Sequence, residues 1–149
     1  TGNGRMHELS GGCHCGNIRL TARLTRPPAD WEPRACDCDF CRKHAACYVS
    51  DPHGSLDIHI ADERQAARYR QGSGLAELLL CRSCGVLVGA VYRGAGRLYG
   101  VVNVQALAER ACFGAPRQVS PQTLSAGEKA QRWQALWFAT VTLYPGAPT

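Results

Sequence analysis

Gly12-Cys13-His14-Cys15-Gly16-Asn17-Ile18-Arg19-Leu20-Thr21-Ala22-Arg23-Leu24 is the stretch that decides the fold. Its first half sets two cysteines between two glycines, and its second half alternates apolar with polar or small side chains, the period of a half-buried strand. A cysteine-bearing turn therefore feeds a strand directly. The arrangement recurs downstream, where Cys81-Arg82-Ser83-Cys84-Gly85 opens into Val86-Leu87-Val88-Gly89-Ala90-Val91-Tyr92, a run β-branched enough to be a buried strand.

Working outward, Pro27, Pro28 and Pro33 break the chain into a loop that delivers Cys36-Asp37-Cys38-Asp39-Phe40-Cys41, with one short helical turn expected over residues 42–47. Residues 51–55 read as a turn and 56–60 alternate. Residues 66–70 suggest another strand, and Gln71-Gly72-Ser73-Gly74 a hairpin loop returning through 77–80. Residues 93–97 turn the chain again, 98–104 bring it back, and a helical stub is expected around 106–110. The substantial helix candidate is 125–138. Ser125 and Glu128 have the spacing of a capping box there, and Ala130, Trp133, Leu136 and Trp137 recur at helical intervals. The expectation is a mainly β single domain over residues 1–149, with two or three short antiparallel sheets and one or two short helices.

The 149 residues are 45% hydrophobic and 19% charged, a balance that excludes a disordered or fibrous chain. No apolar run approaches the roughly 20 residues of a membrane-spanning helix. Thr1-Gly2-Asn3-Gly4-Arg5 has no apolar leader character and reads as a vector remnant before Met6, so a cytoplasmic location is expected. The formal charge is +5, and apart from Lys43 and Lys129 every basic residue is an arginine. Guanidinium forks suit carboxylate or phosphate partners. Because the charge is not gathered into a run, an anionic small molecule fits it at least as well as a polynucleotide.

Nine cysteines are the informative excess. An odd, tightly clustered set disfavours a secreted disulfide framework and favours metal thiolates. Cys13 and Cys15 can pair with Cys81 and Cys84 into a closed four-thiolate zinc site, with Gly16 and Gly85 supplying open backbone after each turn. Cys36, Cys38 and Cys41 leave a metal one ligand short. Three thiolates on a divalent ion sum to −1, a weak Lewis acid toward water but a good holder of an incoming sulfur. The competing reading is a second structural site completed by Cys47, His44, Cys112 or another side chain.

In cysteine order and spacing, the segments 12–19, 36–43 and 81–85 resemble the glutathione-dependent formaldehyde-activating enzyme family, which also contains centromere protein V. The resemblance covers residues 12–104. It implies a β-tent-like zinc fold, a structural zinc on Cys13, Cys15, Cys81 and Cys84, and a functional zinc on Cys36, Cys38 and Cys41 that meets the substrate sulfur. The activity implied is a zinc-dependent carbon–sulfur lyase acting on glutathione adducts. Ala45-Ala46-Cys47 and Leu80 depart from the family's frequent Thr-Gly-Ala and Phe, which points to a related thiol adduct as substrate.

Beside the cysteines, His44 follows the triplet by three residues and is the candidate proton donor or acceptor. Arg42 and Lys43 are candidates for a substrate carboxylate. Trp133 and Trp137, four apart, read as core in preference to a ligand platform. Two readings compete with the lyase: a non-catalytic zinc-ribbon module binding protein or nucleic acid, and a metal or redox sensor using Cys47 or Cys112.

Overall fold

The computed structural model describes residues 6–144, so the vector-remnant reading of residues 1–5 lies outside the described residues. The expected alternation becomes β2 (Ile18–Leu24), which buries Ile18, Leu20, Ala22 and Leu24 on one face. It pairs antiparallel with β1 (His7–Gly12) on one side and with β5 (Ser55–Ile60) on the other, where Ile18 faces Ile60 and Leu20 faces Ile58. β11 (Val141–Tyr144) adds to β5 in parallel and completes a four-stranded sheet ordered β1-β2-β5-β11.

The second sheet has seven strands. β3 (Arg34–Cys36), β4 (Cys47–Val49), β6 (Ala66–Tyr69), β7 (Ala76–Cys81), β8 (Leu87–Gly94), β9 (Arg97–Asn103) and β10 (Arg117–Val119) take the order β10-β3-β4-β9-β8-β7-β6. All its pairings are antiparallel except that of β10 with β3. The two-sheet, mainly β expectation is met, with a parallel pair at one edge of each sheet.

β8 explains why the run after the third cysteine cluster has no polar face. Val88 and Val91 point into the core between the sheets, whereas Leu87, Ala90 and Tyr92 pack into a second apolar cluster on the other side. The inter-sheet core also holds Leu24, Leu56, Ile60 and Phe138, all at or below 2% exposure. Each such side chain contributes about 1.5–3 kcal/mol by leaving water. The second cluster lies under α2 (Ala126–Leu136), and Trp137 and the partly buried Trp133 belong to it.

Two α-helices occur among the described residues. α2 starts as its sequence predicts: Glu128 N–H donates to Ser125 Oγ at 3.2 Å, and Ser125 N–H donates to Glu128 Oε1 at 2.8 Å. α1 (Asp39–Lys43) begins earlier than the helical turn expected over 42–47, because Cys38 caps it and the chain leaves the helix at His44. The stub expected around 106–110 resolves into two short 3-10 turns, Val104–Ala106 and Arg110–Cys112. No helix among the described residues is long and apolar enough to cross a membrane.

Buried Asp51 ties the end of β2 to the turn that opens β5. Its carboxylate accepts from Thr25 N–H at 2.8 Å, Thr25 Oγ1 at 2.7 Å and His53 N–H at 2.9 Å. Asp51→Ala removes the acceptor that these donors share and is expected to cost about 1–3 kcal/mol. Urea unfolding of the variant checks this, and an unchanged midpoint would contradict the role given to Asp51.

Candidate metal centres

Cys13 and Cys15 lie in the turn between β1 and β2, and Cys81 and Cys84 in the turn between β7 and β8. The four Sγ atoms lie within 4.8 Å of one another although the two turns belong to different sheets. Cys13 Sγ is 3.7 Å from Cys15 Sγ, and Cys15 Sγ is 3.5 Å from Cys81 Sγ. Four sulfurs about 2.3 Å from one tetrahedral ion stand about 3.8 Å apart, so these donors fit zinc. Ile18 N–H donates to Cys13 Sγ at 3.2 Å and Cys84 N–H to Cys81 Sγ at 3.5 Å, the backbone support that thiolate ligands need. Each turn closes through a glycine in the left-handed region, Gly16 at φ +88° and Gly85 at φ +82°. His14 points outward, exposed, and stays outside the cluster.

The second cluster is built at the start of α1. Cys36 ends β3, Cys38 caps the helix by accepting from Cys41 N–H at 3.5 Å, and Cys41 is buried on the helix itself. Their sulfurs also converge within 4.8 Å, and no fourth Cys, His, Asp or Glu among the described residues joins them. Tyr48 Oη lies 3.2 Å from Cys41 Sγ, and Gln71 Nε2 donates to Cys38 Sγ at 3.8 Å. The adjacent Cys41 thiol holds Cys36 down to about 6, while that same contact and burial push Cys41 up. Left without a cation, the triplet concentrates negative charge on one sulfur, and a divalent ion would release the remaining protons.

A cavity of about 350 Å³ opens onto all three cysteines, within the range of small-molecule sites. Its polar wall carries Arg34, Gln71, Lys129 and Arg132. Its aromatic wall carries Trp133 and Trp137, stacked at 5.0 Å, so the indoles expected in the core both pack and line the cavity. Burial, together with Arg132 and Arg117 nearby, lowers the Arg34 guanidinium to about 10, so it remains charged at neutral pH. A second cavity of about 580 Å³ reaches Cys36 and Cys41 together with Arg42 and Cys47.

The remaining sequence candidates disperse. His44 caps the C-terminus of α1, and its ring lies 4.6 Å from Phe40, which stacks on Tyr69 at 5.1 Å. Arg42 lines the second cavity and Lys43 is exposed. Cys47 is buried outside both cysteine clusters, and Cys112 is exposed on a 3-10 turn. Arg34, Tyr48, Gln71 and Arg132 were not singled out from sequence. The signal within reach was the spacing Lys129, Arg132, Trp133, which places all three on one face of α2.

Comparison with known proteins agrees with this geometry. No curated protein matches the chain. A crystal structure of a Rhodobacter sphaeroides protein is similar, with 26% identity, a TM-score of 0.56, and coverage of 74% of this chain and 99% of that one. The family model described as glutathione-dependent formaldehyde-activating enzyme matches residues 8–125, which include every cysteine of both clusters. The chain belongs to the glutathione-dependent formaldehyde-activating enzyme family.

Proposed function

We propose that the protein is a zinc-dependent carbon–sulfur lyase acting on glutathione or a related thiol adduct. In this reading it holds two zincs, a structural one on Cys13, Cys15, Cys81 and Cys84 and a catalytic one on Cys36, Cys38 and Cys41. The observation that carries the reading is the three-sulfur cluster, without a fourth side-chain ligand among the described residues, opening onto a cavity of small-molecule size. Zinc bound there supplies a soft Lewis acid that keeps a substrate sulfur as thiolate.

The chain's own residues do the rest. Tyr48 and Gln71 hold the Cys41 and Cys38 sulfurs in place, so the cluster presents a fixed face to the cavity. The stacked indoles of Trp133 and Trp137 exclude water from one wall. When a hydroxyalkyl thioether breaks, the C–S electron pair passes to sulfur, the hydroxyl proton departs, and a carbonyl forms. The role expected of Arg42 would be played from the side of the second cavity, which it lines, whereas His44 and Lys43 line neither of the two cavities.

The two clusters should separate by mutation. Cys84→Ser removes a ligand joining the two sheets and is expected to cost on the order of several kcal/mol, with loss of one zinc and of soluble protein. Cys38→Ser is expected to lose the other zinc and all turnover while keeping a near-native far-UV circular dichroism spectrum. If Cys38→Ser unfolds the chain as badly as Cys84→Ser, the triplet is structural and the enzyme reading fails.

The thiol role is checked by cobalt substitution. Adding millimolar glutathione is expected to strengthen the sulfur-to-metal charge-transfer band in the wild type and not in Cys38→Ser. A band indifferent to thiols would overturn the proposed mechanism even with both metals in place.

A further inference from the structure

The main cavity has an apolar floor that the sulfur chemistry leaves unused. Leu78 on β7, Ala90 on β8 and Val101 on β9 form one cross-strand row, Leu78 facing Ala90 and Ala90 facing Val101, and all three line the cavity. They belong to the same apolar cluster as Cys38, Cys41 and Tyr48, so the floor begins beside the sulfurs. Its middle position is the smallest. Ala90 stops at Cβ between a leucine and a valine, which leaves the row notched at its centre. From α2 come the indoles of Trp133 and Trp137, stacked at 5.0 Å and both lining the cavity. Tyr92, two residues beyond Ala90 on β8, meets Trp133 edge-on at 5.1 Å and ties that indole to the same sheet.

The thiol half of an adduct does not match this surface. A peptide thiol is polar along its length, and its amides would lose water against Leu78, Ala90 and Val101 without gaining a partner. A one-carbon fragment does not fill it either. A hydroxymethyl group on sulfur takes up on the order of two water volumes, ~60 Å³, in a cavity of about 350 Å³. A flat apolar group does match, because it leaves water on both faces and meets aromatic rings on one of them.

We infer that the space between the Leu78, Ala90 and Val101 row and the two indoles is a subsite for the carbonyl-derived fragment of the adduct, which makes the thiol adduct of an aromatic aldehyde the substrate class. This rests on the thiol reading above and adds which aldehyde is released. In such an adduct a single carbon separates sulfur from ring, so a sulfur at the triplet lays the ring against a floor that starts beside Cys38 and Cys41. Cleavage leaves the C–S electron pair on sulfur as thiolate, the hydroxyl proton passes to water, and the carbon keeps its oxygen as the aldehyde. No oxidant or reductant enters.

The test uses two conjugates that cannot be cleaved to an aldehyde. S-benzylglutathione keeps the sulfur, carbon and ring spacing, and S-methylglutathione replaces the ring with hydrogen. Calorimetry on the zinc-loaded protein is expected to show S-benzylglutathione binding about 10–100-fold more tightly. Ala90→Val fills the notch in the floor and should shrink that ratio about tenfold at full zinc content. Trp133→Leu removes ring surface from the other side and should shrink it as well. In turnover, the wild type should accelerate benzaldehyde release from its glutathione adduct beyond the spontaneous rate, followed by ultraviolet absorbance.

Equal affinity for the two conjugates in the wild type overturns the subsite. So does an Ala90→Val variant that melts higher with the ratio unchanged, since the space is then a packing gap. Should Ala90→Val fail to fold, the wild-type ratio and Trp133→Leu still decide. Failure of the subsite is distinguishable from failure of the thiol reading. A ring preference alongside a cobalt band indifferent to thiols keeps the subsite and sinks the thiol reading. A responsive band with no ring preference does the reverse.

Discussion

The approach of Cys15 to Cys81, 66 positions apart and 3.5 Å between sulfurs, is the constraint on which the rest of the molecule depends. The turn carrying Cys13 and Cys15 belongs to the four-stranded sheet, and the turn carrying Cys81 and Cys84 to the seven-stranded one. Joining them at one point ties the two sheets together beside the core they share. Thiols this close, unbridged, gain little from one another, since sulfur is a weak donor and a weak acceptor. The convergence makes physical sense when a cation supplies the attraction.

From that join the seven-stranded sheet carries the chemistry on its other face. β8 sends Val88 and Val91 to one side and Leu87, Ala90 and Tyr92 to the other, so one strand serves as core for the sheet pair and as part of the cluster near the triplet. Cys36 and Cys38 come from β3 and the residue capping α1, and Tyr48 comes from the neighbouring β4. The triplet is therefore held by local hydrogen bonding on a short helix, while the four-cysteine cluster is held by long-range sheet geometry. Two cysteine clusters with the same ligand chemistry thus depend on the fold in different ways.

Much of this is legible in the sequence because it is written in short range. The alternation of residues 18–24, the unbroken apolar character after Cys84 and the Ser125/Glu128 pair each specify their element within a few residues, and the cysteine groups declare their partners by spacing. The three-residue strands β3, β4 and β10 are not legible, because no period can be read from three positions and β10 finds β3 only through tertiary contact. The same applies to β11, whose parallel partner β5 lies far back in the chain. His44 follows the triplet closely in sequence, yet a helix that ends at Lys43 turns its ring toward Phe40. Arg34 sits between Pro33 and Ala35 with nothing beside it to mark its charge as uncompensated. That information exists only once Ser50, Arg117 and Arg132 surround it.

The cavity beside the triplet is walled from separate stretches of the chain. The cysteines of the triplet come from residues 36–41, whereas α2 supplies Lys129, Arg132 and Trp133. Substitutions on that face of α2 can therefore reshape the wall without touching a cysteine, so wall and sulfurs are separate handles on one cavity.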